Sequence, residues 1–389
     1  MATARWLLAL LLFCSWPAAA RVDKVTSATP LPLATPSRPL PAEALLDVGI
    51  LPFADGLDRV DEDEPVYPEV RRAETVYFAA QLAKVLEQSG AWGMVRVIPS
   101  AEAVVDLYLS GEVLQSDGET LALAVEVRDV SGRRWYRRDY RQRVGKYAYD
   151  RRVQSLGDPF RNLYVEIAND LLAARESLPD ARAVRLRQIA EVRYAERLAP
   201  EAFAGYLEKR RGELVPVRLP AENDPLLERV RRVRERDQLF LDTLQAHYDH
   251  FAEAMHGPYQ EYRRQSYDAV VEARRLGQLG RARLIAGIGA IVAGIYGRVE
   301  GDSPLSRDLG TVSAISGGLL VKSGLEKQHE AAVRREAVAE LGASLEEALA
   351  PTVLELEERT VTLTGTLEER YRQWQALLAE IYREERGEL

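Results

Sequence analysis

The chain has 389 residues, 47% of them hydrophobic and 29% charged, with a formal net charge of −8. That length holds two or three domains with cores of their own. The acidic balance excludes a general nucleic-acid binder, which would present a basic face, and no cofactor or nucleic-acid partner is expected.

The first twenty residues carry the marks of an export signal. Arg5 supplies the positive start, Trp6–Phe13 a short apolar run, and Ala18-Ala19-Ala20 a small-residue cleavage site, so residues 1–20 are read as a signal peptide. The apolar run is too short to span a bilayer. A second reading makes Cys14 a lipidated cysteine, although the bulky Phe13 stands where processing wants a small side chain. If the leader is cleaved, the only cysteine leaves with it and the mature chain has no disulfide. Residues 21–44 are rich in Pro, Ser, Thr and Ala and read as a flexible tether.

Residues 45–178 read as a mixed α/β domain. Leu46–Phe53 is an apolar run closed by Pro52, the pattern of a buried strand. An acidic loop follows. Ala73–Gln88 then has helical spacing, stopped by Ser89-Gly90. Met94–Ile98 is a second short strand. Leu107–Gln115, Thr120–Asp129 and Arg133–Val144 are separated by Asp117-Gly118 and Ser131-Gly132, the turn chemistry of an antiparallel meander. Phe160–Arg175 closes the domain as a helix.

This order resembles the periplasmic α/β domain of three families: the curli secretion channel, the outer-membrane activators of penicillin-binding proteins, and the amino-terminal domain of the Tol-system propeller protein. The resemblance is carried by a strand ending in ILPF, a helix, Ser-Gly, a strand ending in IP, then VDLYLSGEV and VEVRDVSGRRWYRRDY. The aspartate-alanine-aspartate-tyrosine lead into the third strand is matched only in part, by Val105-Asp106-Leu107-Tyr108. The resemblance implies an envelope assembly or scaffolding role and transfers no catalytic residue.

Residues 181–350 read as a helical domain. Asp224 is placed to cap a helix with Pro225 at its first position. The apolar seam Leu226, Val230, Val233, Phe240, Leu244, Tyr248, Phe251 and Met255 is that of a bundle or coiled coil, with Asp237 as one polar intrusion. Gly257-Pro258 is expected to break this helix, and Tyr259–Leu279 to form another. Two apolar segments follow within residues 281–324. Leu284–Tyr296 carries Gly289, Ala293 and Gly297, and Leu309–Val321 carries Gly310, Ala314 and Gly318. Small residues at every fourth position let two helix backbones approach closely, so the pair reads as a glycine-patterned helical hairpin. As a helix each segment is about 20 Å long, against a bilayer core of about 30 Å. Arginines and lysines flank both at one end. Packing inside the protein or an oligomer is one reading, and contact with the outer membrane is another. In residues 352–389, Val353–Thr366 alternates like a β-hairpin, with a continuous helix as the alternative, and Leu367–Arg386 is an amphipathic helix.

Candidate chemistry is sparse. His247, His250 and Glu253 share a helix face and would suit a metal-dependent enzyme, but zinc needs a third or fourth ligand, and a solvated helix flank explains the same residues. Asp58, Asp61, Glu62, Asp63 and Glu64 lack the spacing of a calcium loop. Arg229, Arg231, Arg232, Arg234 and Arg236 read as a charged outer face. Trp135, Tyr136, Tyr140, Tyr147 and Tyr149 form either a ligand face or cross-strand packing. Gly287-Ile288-Gly289 lacks the context of a phosphate loop, and no G-x-S-x-G nucleophile elbow occurs.

The sequence therefore leads to an α+β protein: an N-terminal mixed α/β domain with a three-stranded antiparallel meander, then a mainly helical region. The expected function is non-enzymatic, in the periplasm or on the periplasmic face of the outer membrane, binding an envelope protein partner and forming a homo-oligomer through the helical half. A membrane-perturbing or pore-forming role of the glycine hairpin is the main alternative.

Overall fold

The short apolar runs become the parallel half of a mixed sheet. The computed structural model describes residues 30–60, 66–150, 157–275, 352–356 and 359–385. Strands β1 (Val48–Ile50), β2 (Val95–Val97), β3 (Leu107–Ser116), β4 (Thr120–Asp129) and β5 (Arg134–Arg143) assemble in the order β2-β1-β3-β4-β5. β1 is parallel to both β2 and β3, while β3, β4 and β5 pair antiparallel. Both β1 and β2 are three residues long and wholly buried, which suits a strand with neighbours on every side.

Helix α1 (Pro68–Gln88) starts on proline and ends at Ser89-Gly90, with Gly90 at φ +64°. Tyr77, Phe78, Leu82 and Leu86 are fully buried. Most of the helix is buried because it lies between the sheet and a second helical layer, and Gln81, Lys84 and Gln88 leave one polar stripe along it. Helix α2 (Arg161–Glu176) packs beside α1 and against β5, and α3 (Asp180–Leu198) leads through the one-turn α4 (Pro200–Phe203) to a small hairpin.

That hairpin, β6 (Leu207–Arg210) with β7 (Glu213–Pro216), lies within residues 181–350, which read from sequence as helical. Its turn has positive φ at both Arg211 (52°) and Gly212 (90°), the geometry of a tight two-residue hairpin. Arginine in the first of these positions hides the turn from a search for Asn-Gly or Asp-Gly.

Helix α5 (Pro225–Arg275) runs for 51 residues, about 77 Å. Asp224 caps it, accepting the Leu226 N–H at 2.9 Å. Leu227, not Leu226, opens the buried seam. The break expected at Gly257-Pro258 does not occur: Pro258 lies inside the helix. Proline there removes one backbone hydrogen bond and crowds the preceding turn. The helix survives because Met255, Tyr259, Gln260 and Arg263 are all buried on either side of it, so tertiary packing holds both flanks in one line.

α5 also covers the β2 edge. The Val97 N–H donates to Gln245 Oε1 at 2.6 Å, and Arg96 pairs with Asp242 at 2.6 Å. An edge strand closed in this way cannot template another chain. Helix α6 (Leu367–Glu385) begins in a reciprocal cap, Glu369 N–H to Thr366 Oγ1 at 3.2 Å and Thr366 N–H to Glu369 Oε2 at 2.8 Å. It docks on α5 by stacking Trp374 on Phe240, ring centroids 4.9 Å apart. The polar intrusion Asp237 is the pin: it accepts from Gln375 at 2.6 Å and Tyr371 at 3.4 Å and faces Arg197 of α3 at 3.7 Å. Strands β8 (Thr352–Leu356) and β9 (Arg359–Leu363) pair antiparallel, so strands rather than a continuous helix occupy this stretch.

The second half of the presumed flexible tether is held down. Backbone N–H groups of Leu31, Ala34 and Ser37 donate to Asn162, Asn169 and Glu176 of α2. Side-chain acceptors on a preformed helix give this segment what composition alone could not reveal. The signal segment, Cys14 and the paired segments with Gly289, Ala293, Gly297, Gly310, Ala314 and Gly318 lie outside the described residues. Among the described residues, no helix is long and apolar enough to cross a membrane.

Candidate functional site: a buried polar relay beneath a cleft

α1, α5 and the start of α2 enclose a cleft of about 620 Å³, lined by residues that include Gln81, Lys84, Gln88, Arg161, Gln245, Asp249, Glu253 and His256. Its floor is a relay of buried polar groups. Asp158, placed by Gly157 at φ +111°, accepts both contacts from Arg263 Nη1, at 3.0 and 3.1 Å. It also accepts the Tyr77 hydroxyl at 2.9 Å and Gln260 Nε2 at 2.9 Å. His256 Nδ1 lies 2.8 Å from the same Tyr77 oxygen.

The protons follow from the chemistry. A carboxylate facing a guanidinium can only accept, so Tyr77 gives its single proton to Asp158. The Tyr77 oxygen then accepts from His256 Nδ1–H. This fixes the imidazole tautomer and leaves Nε2 as the ring nitrogen available to a visitor in the cleft. Burial, then the negative charge of Asp158, pushes the Tyr77 phenol well above its ordinary pKa, so it stays a neutral link.

Arg263 is 1% exposed and is sandwiched by aromatic rings: its guanidinium carbon lies 4.1 Å from the Tyr259 centroid and 4.7 Å from that of Phe160. Its Nε and Nη2 have no hydrogen-bond partner. The ring faces supply the negative potential instead. Next to it, Glu74 accepts from Tyr259 at 2.6 Å, from Ser116 at 2.7 Å and from Arg71 at 3.0 Å. The relay thus ties α1, β3, α5 and the lead into α2 together.

Chemically, the cleft offers a mixed-sign polar wall with one oriented imidazole. Among the described residues, the side-chain hydroxyl that lines it is the phenol of Tyr164, which burial holds well above its ordinary pKa. Recognition of a polar or zwitterionic group is what this wall can do. Among the described residues no group of three His, Cys, Asp or Glu is placed to hold a metal ion. Glu253 and His256 line the cleft, but His247 faces Arg370 of α6. Burial, followed by the charges of Arg370 and His250, depresses its pKa.

The other candidate groups disperse. Arg231 pairs with Glu191 at 2.6 Å, and Arg234 lies 5.9 Å from the Tyr194 ring. Asp58 sits in a single 3-10 turn, while 61–65 lie outside the described residues. Of the aromatic group, Trp135 donates to Asp129 at 3.0 Å, Tyr140 to Asp170 at 2.8 Å, and Tyr149 to the Gly118 carbonyl, while Tyr147 is 81% exposed. Tyr136 and Tyr140 lie on one face of β5 beside Asp170, while Trp135 and Tyr149 bond elsewhere, so the five do not gather into a single ligand face. Asp158, Tyr77, His256 and Arg263 were not legible as a site. Their only sequence signal is a charge, Arg263, at a position that continues the apolar seam Met255–Tyr259 by one further turn.

A second buried acid marks the β1–β3 junction. The Asp47 N–H donates to Asp106 Oδ2 at 2.8 Å, and Asp106 Oδ1 has no partner. Burial, then the charge of Asp47, raises the Asp106 pKa to about 7. A raised carboxyl pKa means the folded chain holds a proton that the unfolded chain releases near pH 4. This contribution to stability is complete in acid, declines as pH rises, and is gone above pH 7. Asp106→Asn is therefore expected to match the parent near pH 4 and exceed it by roughly 2–4 kcal/mol at pH 8. Urea titrations at the two pH values check this, and equal differences at both would refute it.

No known protein family, no curated protein and no solved structure matches this chain. The class it defines is an α+β protein in which a mixed five-stranded sheet is joined to a long-helix layer by buried charge.

Proposed function

We propose that this protein is a non-enzymatic assembly or scaffolding factor of the cell envelope, exported to the periplasm or to the periplasmic face of the outer membrane. One observation carries the reading above the others: α5 extends about 77 Å yet is anchored to the α/β domain by the buried Arg263–Asp158 pair and by Gln245 on the sheet edge. A long helix packed along the α/β domain through a continuous buried seam suits a part that holds a fixed binding surface for partners. The export-type N-terminus supports the address. The mixed-sign cleft supports recognition of a polar surface on an envelope protein. The three antiparallel strands β3, β4 and β5 are the meander of the α/β domain, and the helical half is the part through which the protein oligomerises.

Cell fractionation followed by a carbonate wash tests the address and the mode of attachment together. The protein is expected in the periplasmic or envelope fraction, with any membrane-bound part released by carbonate. Recovery in the cytosol overturns the proposal, and retention after carbonate favours insertion by the hairpin instead.

A further inference from the structure

The segment over α2 obeys a numerical match that its composition does not require. Three backbone donors, Leu31, Ala34 and Ser37, are spaced by three residues. Their acceptors, Asn162 Oδ1 (2.7 Å), Asn169 Oδ1 (2.8 Å) and Glu176 Oε1 (2.7 Å), are spaced by seven. A polyproline-II chain has three residues per turn and rises about 3.1 Å per residue, so its equivalent N–H groups recur about every 9 Å on one side. Seven residues of α-helix are two turns and about 10.5 Å. The two periods therefore run in step over three contacts. Asn169 also returns a hydrogen bond to the Pro32 carbonyl at 3.1 Å, and Arg38 pairs with Asp180 at 2.8 Å just past the helix end. Pro32 and Pro36 fall between the donor positions and Pro30 and Pro39 just outside them, so no proline takes a donor position. The three evenly spaced contacts read backbone N–H groups, while Arg38 adds a side-chain ion pair and Leu33 packs against the core.

We propose that the outer face of α2 is a docking rail for proline-rich extended segments, that residues 30–41 are its resident occupant, and that a proline-rich segment of a partner protein takes their place. The contacts lie at the surface, where opening costs least. A tethered occupant acts at a high effective concentration, so the rail is masked until a competitor binds or the strap is pulled away. The inference stands on α2 and the strap alone and does not depend on the export reading.

The test uses the full chain and a fluorescein-labelled peptide of residues 30–41. Replacing Leu31→Pro, Ala34→Pro and Ser37→Pro together removes the three strap donors, keeps the extended conformation and leaves the rail untouched. Fluorescence anisotropy is expected to show saturable peptide binding to this variant, at least tenfold tighter than to the parent chain. Adding Asn162→Ala and Asn169→Ala should abolish it. A peptide carrying proline at the three donor positions should not bind. Failure of the strap variant to bind the peptide up to millimolar concentration overturns the proposal. So does equal binding after the rail substitutions, or equal binding by the donor-free peptide. Hydrogen exchange on the parent chain gives an independent reading. Protection of the Leu31, Ala34 and Ser37 amides should fall in Asn162→Ala/Asn169→Ala with the α2 amides unchanged, and unchanged strap protection refutes the rail.

Discussion

Asp158→Ala is expected to lower the unfolding free energy by about 3–5 kcal/mol, the cost of leaving a buried charge without its partner. Arg263 is 1% exposed and two of its nitrogens already lack hydrogen bonds, so Asp158 is the group that lets a guanidinium sit in the core at all. Tyr77, Gln260 and the Phe160 N–H would lose an acceptor in the same stroke. The double variant Asp158→Ala/Arg263→Met should recover much of the loss, because a thioether chain fills the ring-lined slot without needing a counter-charge. Urea denaturation of the parent, both single variants and the double variant closes the cycle. A loss below about 1 kcal/mol for Asp158→Ala would mean that water reaches Arg263 and that the relay is not a closed network.

Gly118→Ala should cost about 3 kcal/mol, combining the left-handed backbone penalty with overpacking. Gly118 has φ +77° in the β3–β4 turn. A Cβ there would overlap the Arg263 carbonyl oxygen and come within 2.8 Å of the Tyr267 nitrogen. The turn thus rests directly on the backbone of α5, and the Tyr149 hydroxyl donates to the Gly118 carbonyl from the other side. Gly90→Ala makes the control, since it shares a positive φ of 64° but has open space around it. It should show only the backbone term, about 1–2 kcal/mol. Equal losses at the two glycines in thermal or urea unfolding would show that the turn does not bear on the helix.

The strands and helices of the first half were legible because period and punctuation agree there. Asp117-Gly118 and Ser131-Gly132 turn the chain where β3, β4 and β5 end, and Pro68 and Ser89-Gly90 bound α1. Where local signals and tertiary packing conflict, packing wins. Pro258 reads as a stop, yet the burial of Tyr259 and Arg263 carries α5 past it. The strap reads as a flexible tether because its acceptors sit more than 130 residues away on another element. The relay is hidden for the same reason. Tyr77, Asp158 and Arg263 belong to α1, a loop and α5, and an arginine flanked by Tyr262 and Arg264 has the look of a solvated flank until three elements close around it.

That closure sets the order in which the chain can be completed. Glu74 and Tyr77 lie early in α1, yet their partners Tyr259 and Gln260 emerge more than 180 residues later. At about 5–20 residues per second of synthesis, the sheet and α1 wait roughly ten to forty seconds with carboxylate and phenol groups facing an unfinished core. The α/β half is therefore an incomplete template, and α5 is the piece that finishes it. Any chaperone that binds nascent chains would meet this one during that interval, before the α/β half has closed.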